Sequence, residues 1–316
     1  DVFFEQLGIP RPDFNLGVGS GTHGQQTAEM LVLLEELFTE QSPDVVLVYG
    51  DTNTTLAGGL AAAKLNIPVA HVEAGLRSFN RTMPEEVNRV VVDHLSDILL
   101  CPTRTAVENL QTEGITDGVV LVGDVMLDTA RHFANAEEAA AAVEHFGLQS
   151  GEYYLATVHR AGNSDSEARL GAIIQAFATA DKPVIWAIHP RTAKNIGTLG
   201  LQAVLDKADN ITTVPPVSYV ETVGLLSNAA ALLTDSGGMQ KEAYFFSVPC
   251  VTLREETEWT ETVELGWNQL VGADTNRILA AMGSLAKPES RPDVYGDGHA
   301  AEAILAVLDA RYGVCL

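Results

Sequence analysis

Apolar positions along the chain follow two alternating rhythms. Residues 25–41 carry Met30, Leu31, Leu33, Leu34, Leu37 and Phe38 at the three-to-four spacing that gives a helix one apolar face. Residues 44–49 then form a short, valine-rich run, the pattern of a strand covered on both faces. The alternation continues through helix 54–65, strand 68–72, helix 85–96, strand 98–101, helix 103–113, strand 119–122 and helices to about 146. A linker-like stretch, 147–152, separates this half from a second of the same style. There we expect strand 153–158, helix 167–180, strands 183–188 and 211–214, helix 218–227, strand 231–234, helix 239–245, strands 248–253 and 269–271, and helices 276–285 and 300–311. Short apolar strands alternating with helices are βαβ units, since parallel neighbours need a crossover and the helix covers the sheet. The expected fold is therefore α/β: two doubly wound domains facing one another across a cleft.

Composition sharpens this picture. A length of 316 residues exceeds one average core, and 46% apolar content is enough for two. No apolar run reaches membrane-spanning length, and no signal-peptide pattern opens the chain. The three cysteines, Cys101, Cys250 and Cys315, are isolated, which gives neither a disulfide framework nor a zinc pattern. A reducing cytoplasm fits, and no metal site is expected. The net charge of -23 argues against nucleic acid and anionic membranes as partners. Disorder would need low hydrophobicity as well. The acids are spread over the helices, which reads as a solvated surface suited to high salt.

Candidate chemistry gathers where strands empty into loops, the place where open α/β sheets bind ligands. The stretch His71–Arg89, HVEAGLRSFNRTMPEEVNR, puts Glu73 at a strand's end and Glu85 and Glu86 behind Pro84 at a helix start, with Arg77, Arg81 and Arg89 nearby. Glu85 and Glu86 could simply complement the helix dipole. Gly50-Asp51-Thr52 follows another strand, with Asp51 read as capping the helix that starts near Thr54. In the second half, Thr234-Asp235-Ser236-Gly237-Gly238 joins a strand to a helix. Two glycines, a serine hydroxyl and free helix N–H groups suit a phosphate, and an ordinary tight turn is the alternative. Glu242, one turn on, is placed to accept from a ribose hydroxyl or to be a solvated helix acid. His159-Arg160 and His189-Pro190-Arg191 follow two further strands and could hold or protonate a phosphate leaving group. No GxGxxG or Walker pattern is present, so no nicotinamide or other cofactor is expected.

Taken together, GDTNTTLA at Gly50–Ala57, HVEAGLR at His71–Arg77, PEEVNR at Pro84–Arg89, HR at His159–Arg160, TDSGGMQKEA at Thr234–Ala243 and YGDG at Tyr295–Gly298 resemble the non-hydrolysing UDP-N-acetylglucosamine 2-epimerases. The likeness runs in order over nearly the whole chain. It implies a GT-B fold of two Rossmann-like domains, here 1–148 and 149–297, with residues 298–316 crossing back as a helix to the first. By position it implies Asp51, Glu73 and Glu85 as catalytic acids with His159 and Arg89 in the active site, and Ser236, Gly237, Gly238 and Glu242 at the UDP. It further implies a homodimer and a role in supplying cell-surface polysaccharide. Gly162 stands where the family generally has Glu. Glu258-Trp259-Thr260-Glu261 replaces the common Glu-Arg-Pro-Glu and resembles archaeal members and epimerases of diacetamido-uronic acid sugars. The chain begins after the family's first strand and phosphate loop, and we expect a longer natural protein.

The implied reaction interconverts UDP-N-acetylglucosamine and UDP-N-acetylmannosamine. The C2 hydrogen is not acidic in the sugar, so the accessible route expels UDP first, lets a carboxylate remove the C2 proton to give 2-acetamidoglucal, and reverses both steps on the other face. A GT-B glycosyltransferase and an inactive nucleotide-sugar-binding protein are the rivals.

Overall fold

The computed structural model describes residues 8–313, so Cys315 lies outside the described part. Its elements run α1 (His23–Gln41), β1 (Val46–Tyr49), α2 (Asn53–Lys64), β2 (Val69–Val72), α3 (Pro84–Leu95), β3 (Ile98–Cys101), α4 (Arg104–Thr112), β4 (Val119–Leu121), α5 (Val125–Ala134) and α6 (Glu137–His145). They continue with β5 (Tyr154–Thr157), α7 (Ala161–Ser164), α8 (Glu167–Ala178), β6 (Val184–Ala187), α9 (Pro190–Thr198), α10 (Gln202–Leu205), β7 (Ile211–Val214), α11 (Tyr219–Ser227), β8 (Ala231–Thr234) and α12 (Gly237–Phe245). Last come β9 (Cys250–Thr252), α13 (Thr260–Glu264), β10 (Asn268–Leu270), α14 (Thr275–Gly283) and α15 (Ala300–Tyr312).

Two compact units result, one holding the described residues up to Asp128 and from Asp293 onward, the other Thr129–Pro292. The first unit is built on a parallel sheet in the order β1-β2-β3-β4. Ala70, Val72, Ile98 and Leu100 pack on one face against Ile304 and Leu308 of α15. Val46, Val48 and Val69 pack on the other against Ala62 and Val92. The Asp128 carboxylate accepts the Ala300 and Ala301 N–H groups (3.1 and 2.8 Å), satisfying the open start of α15. Among the described residues β1 is an edge strand, with Leu47 and Tyr49 about half exposed.

The second unit's parallel sheet has the order β10-β9-β8-β5-β6-β7, so β5 and β8 pair at its centre. Helix α6 packs on α11, where Gly224 has no room for a Cβ against the Ala139 carbonyl. That packing places α6 in this unit, whereas the 147–152 stretch suggests a later division. Helices α9 and α10 are additions to the expected pattern. Their segment offers few buried hydrophobes, and α9 is held by Ile196 and Thr192 and by Pro190 in its first turn.

Candidate active site

In the first unit, β1 ends at Tyr49 and the chain turns at Gly50, whose φ of 66° suits a residue without Cβ. The cap of α2 is Thr52, which exchanges hydrogen bonds with Thr55 in a capping box. This corrects the reading of Asp51 as the cap: a threonine at the next position takes the backbone N–H and leaves the carboxylate for another partner. That partner is Arg89, whose Nη2 donates to Asp51 Oδ2 at 2.5 Å. Asn88 Nδ2 donates to the Asp51 carbonyl at 2.9 Å, so two consecutive residues of α3 hold the carboxylate and the carbonyl of Asp51. Glu73, at the end of β2, is a non-glycine residue in the left-handed region (φ 67°), a conformation that costs free energy and is favoured at functional sites. Its Oε2 lies 3.4 Å from where a Cβ on Gly50 would stand, which brings it beside the Gly50–Asp51 turn.

The two acids after Pro84 separate in role. Glu86 is buried and accepts from Ser78 N, Ser78 Oγ and Phe79 N, each at 2.9 Å, fixing the loop that follows Arg77. Arg89 Nη1 is 3.4 Å from Glu86 Oε2, in ion-pair range without hydrogen-bond alignment. Glu85 is half-buried in the first turn, one helical turn before Arg89. Arg77 is drawn inward: Nη1 donates to Asp93 Oδ2 at 2.7 Å, and Nε and Nη2 pair with Glu113. Burial would raise the Asp93 carboxyl, but hydrogen bonds from His71 and Arg77 outweigh it and hold the group below the ordinary range. Arg81 is exposed.

In the second unit, the organising residue is one that sequence reasoning quoted only within a motif. Asp235, fully buried after β8, accepts from His159 N (3.0 Å), Arg160 N (3.1 Å) and Asn163 Nδ2 (3.0 Å). It thereby ties the loop after β5 to the start of α12. His159 Nδ1 stands 3.4 Å from Asp235 Oδ1 while 42% of the side chain is exposed. Burial lowers the His159 pKa, Arg160 and His189 act the same way, and Asp235 opposes them. The His159 and His189 rings lie 6.2 Å apart on the wall of a cavity of about 170 Å³, whose apolar lining includes Leu155, Val158, Val217 and Met239. His189 is also the cap of α9, its Nδ1 accepting from Arg191 N at 3.2 Å.

Helix α12 starts two residues earlier than expected, at Gly237, with Ser236 as a cap residue whose side chain makes no capping bond. The first-turn N–H groups of such a helix attract anions. A Cβ on Gly237 would run into Glu258 Oε1, and Arg254 Nη2 holds the other oxygen of Glu258 at 3.1 Å. Glu242 is 3% exposed and accepts from Tyr219 Oη at 2.9 Å, which removes the solvated-acid alternative.

The profile of the UDP-N-acetylglucosamine 2-epimerase family matches residues 1–309. A UDP-N-acetylglucosamine 2-epimerase homolog of Methanococcus maripaludis is 49% identical over 97% of this chain and 87% of its own length. The chain belongs to the UDP-N-acetylglucosamine 2-epimerase family. Another relative, the UDP-2,3-diacetamido-2,3-dideoxy-D-glucuronate 2-epimerase of Pseudomonas aeruginosa, is 47% identical over 98% of this chain and 86% of that protein. The crystal structure of the Methanocaldococcus jannaschii UDP-GlcNAc 2-epimerase, in complex with UDP-GlcNAc and UDP, superposes with a TM-score of 0.88 at 42% identity, covering 98% of this chain and 87% of that one. The epimerase family's GT-B fold is thus the fold of this chain. The segment in which it departs from the commoner family pattern, Glu258–Glu261, runs beside Gly237, with Trp259 under the Lys241 ammonium at 4.3 Å.

Proposed function

We propose that this protein interconverts UDP-N-acetylglucosamine and UDP-N-acetylmannosamine by eliminating and re-adding UDP. The observation that carries the reading is the first unit's acid cluster, Asp51 held by Arg89 beside a Glu73 in the left-handed region. In this reading the Ser236, Gly237 and Gly238 turn and α12's first N–H groups hold the diphosphate, Glu242 takes the ribose, and His159, Arg160 and His189 face the leaving phosphate. Donors aimed at the departing oxygens stabilise charge as the C1–O bond breaks, its electron pair leaving with UDP. Cationic character at C1 acidifies the C2 hydrogen; one of Asp51, Glu73 and Glu85 takes it as a proton and the C1=C2 bond of 2-acetamidoglucal forms. Proton return to the opposite face, with attack of the diphosphate oxygen on C1, gives the epimer.

Proton NMR of purified protein with UDP-N-acetylglucosamine is expected to show UDP-N-acetylmannosamine growing to an equilibrium ratio. Unchanged substrate would contradict the assignment. A UDP-diacetamido-uronic acid is the second candidate substrate, favoured by the Trp259-Thr260 variant and by the Pseudomonas relative. Higher kcat/KM on that sugar would select it. We place the enzyme in the cytoplasm as a homodimer. Its charge of -23 supports a salt-adapted reading, in which activity and thermal midpoint should rise together toward molar salt.

A further inference from the structure

We infer that His71 is a positioning residue acting as a buried imidazolium, clamping the Gly50–Asp51 turn to the Asp93–Arg77 ion pair and so holding the Asp51 carboxylate at Arg89. His71 is fully buried in β2, in register with Val48 of β1 on one side and Leu99 of β3 on the other. Its Nδ1 lies 2.7 Å from Asp93 Oδ1, and its Nε2 lies 2.7 Å from the Gly50 carbonyl oxygen. Neither oxygen has a proton to give. The Gly50 oxygen is a peptide carbonyl, and the Asp93 carboxylate already accepts Arg77 Nη1 (2.7 Å) and Gly75 N (3.1 Å) on its second oxygen. A neutral imidazole carries one N–H and would satisfy one of these contacts, leaving lone pair against lone pair at the other. With both nitrogens protonated, both bonds are made, and a buried acceptor left unpaired is costly.

Charge balance agrees. The ring itself meets Asp93 from α3; Asp93 in turn bonds Arg77 from the loop after β2, and Arg77 bonds Glu113 after α4, whose side chain is partly exposed. Two carboxylates, buried Asp93 and partly exposed Glu113, share one guanidinium, so a protonated ring brings the hydrogen-bonded network to neutrality.

The consequence reaches the site through one peptide unit. Gly50 N donates to Val72 O at 3.1 Å and Gly50 O accepts from His71, so the turn is held to β2 on both sides, directly before Asp51. This role rests on the assignment of Asp51 as an active-site acid, and the test separates the two. In the uniformly 15N-labelled full chain at about pH 8, above the ordinary histidine range, ring signals assigned through the His71 backbone are expected to show a bonded proton on both nitrogens. One bare nitrogen would overturn the imidazolium, and this measurement needs no variant to fold. In His71→Gln, which can replace only one of the two bonds, kcat should fall about tenfold with KM within about twofold, and the loss should be absent when Asp51→Asn is already present. Losses that multiply in the double variant would overturn the positioning role. Full turnover by Asp51→Asn alone would overturn it through the acid assignment, with the ring protons still decided by the spectrum.

Discussion

The two units place their polar clusters at the same point, the carboxyl ends of parallel strands, but build them from opposite materials. In the first, acids are held by cations: Asp51 by Arg89, and Asp93 by Arg77 and His71. In the second, Asp235 is turned inward and covered by three N–H donors, and the cavity is lined by histidine rings, threonines and apolar side chains. A carboxylate that is to take protons needs partners that keep it charged and aimed. A cradle for an anion needs its shaping carboxylate buried and satisfied, so that it fixes the loop without repelling the ligand.

This contrast breaks most sharply at Asp93. Asp93→Asn leaves Arg77 and His71 without their shared carboxylate, and urea unfolding should show a loss of about 3–5 kcal/mol. Next, the two clusters should separate kinetically. Asp51→Asn and Glu85→Gln should lower kcat about a hundredfold with UDP affinity little changed. Gly237→Ala, whose Cβ meets Glu258 at the start of α12, should instead weaken UDP binding about tenfold by calorimetry. Equal effects on both quantities from both sides would erase the distinction.

The smallest effect concerns His159. Its folded pKa lies below the ordinary value of 6.5, with burial the leading cause. As pH falls through 6.5 the unfolded chain takes up a proton that the folded chain does not, so stability declines from there down to the folded pKa and levels off below it. His159→Asn should flatten that part of the stability–pH curve, and an NMR titration of the ring should place its midpoint under 6.5. A midpoint above 6.5 would reverse the sign.

The fold was legible because short apolar runs and helical spacing are local signals. Helix α9 was not, since Ile196 and Thr192 are its only buried side chains and give too sparse a stripe to read. Motif positions located the clusters, but pairings across long separations decide their roles. The helix-start pattern treats Glu85 and Glu86 alike and only the family resemblance singles out Glu85, whereas the folded loop places Ser78 and Phe79 on Glu86. His71 lies inside a strand, and its partners come from the turn after β1 and from α3. Asp51 reads as the cap in sequence, and the reciprocal bond between Thr52 and Thr55 gives that place to Thr52.

In the proposed reaction, carboxylates of the first cluster move the C2 proton while UDP is detached from the sugar. This route is tested most directly by running the reaction in deuterium oxide on substrate carrying an oxygen label at the bridging position of C1. The expected product carries deuterium at C2, with label spread into nonbridging oxygens of the β-phosphate, because the freed diphosphate rotates before it re-adds. Epimerised product with hydrogen retained at C2 and the label still bridging would contradict it.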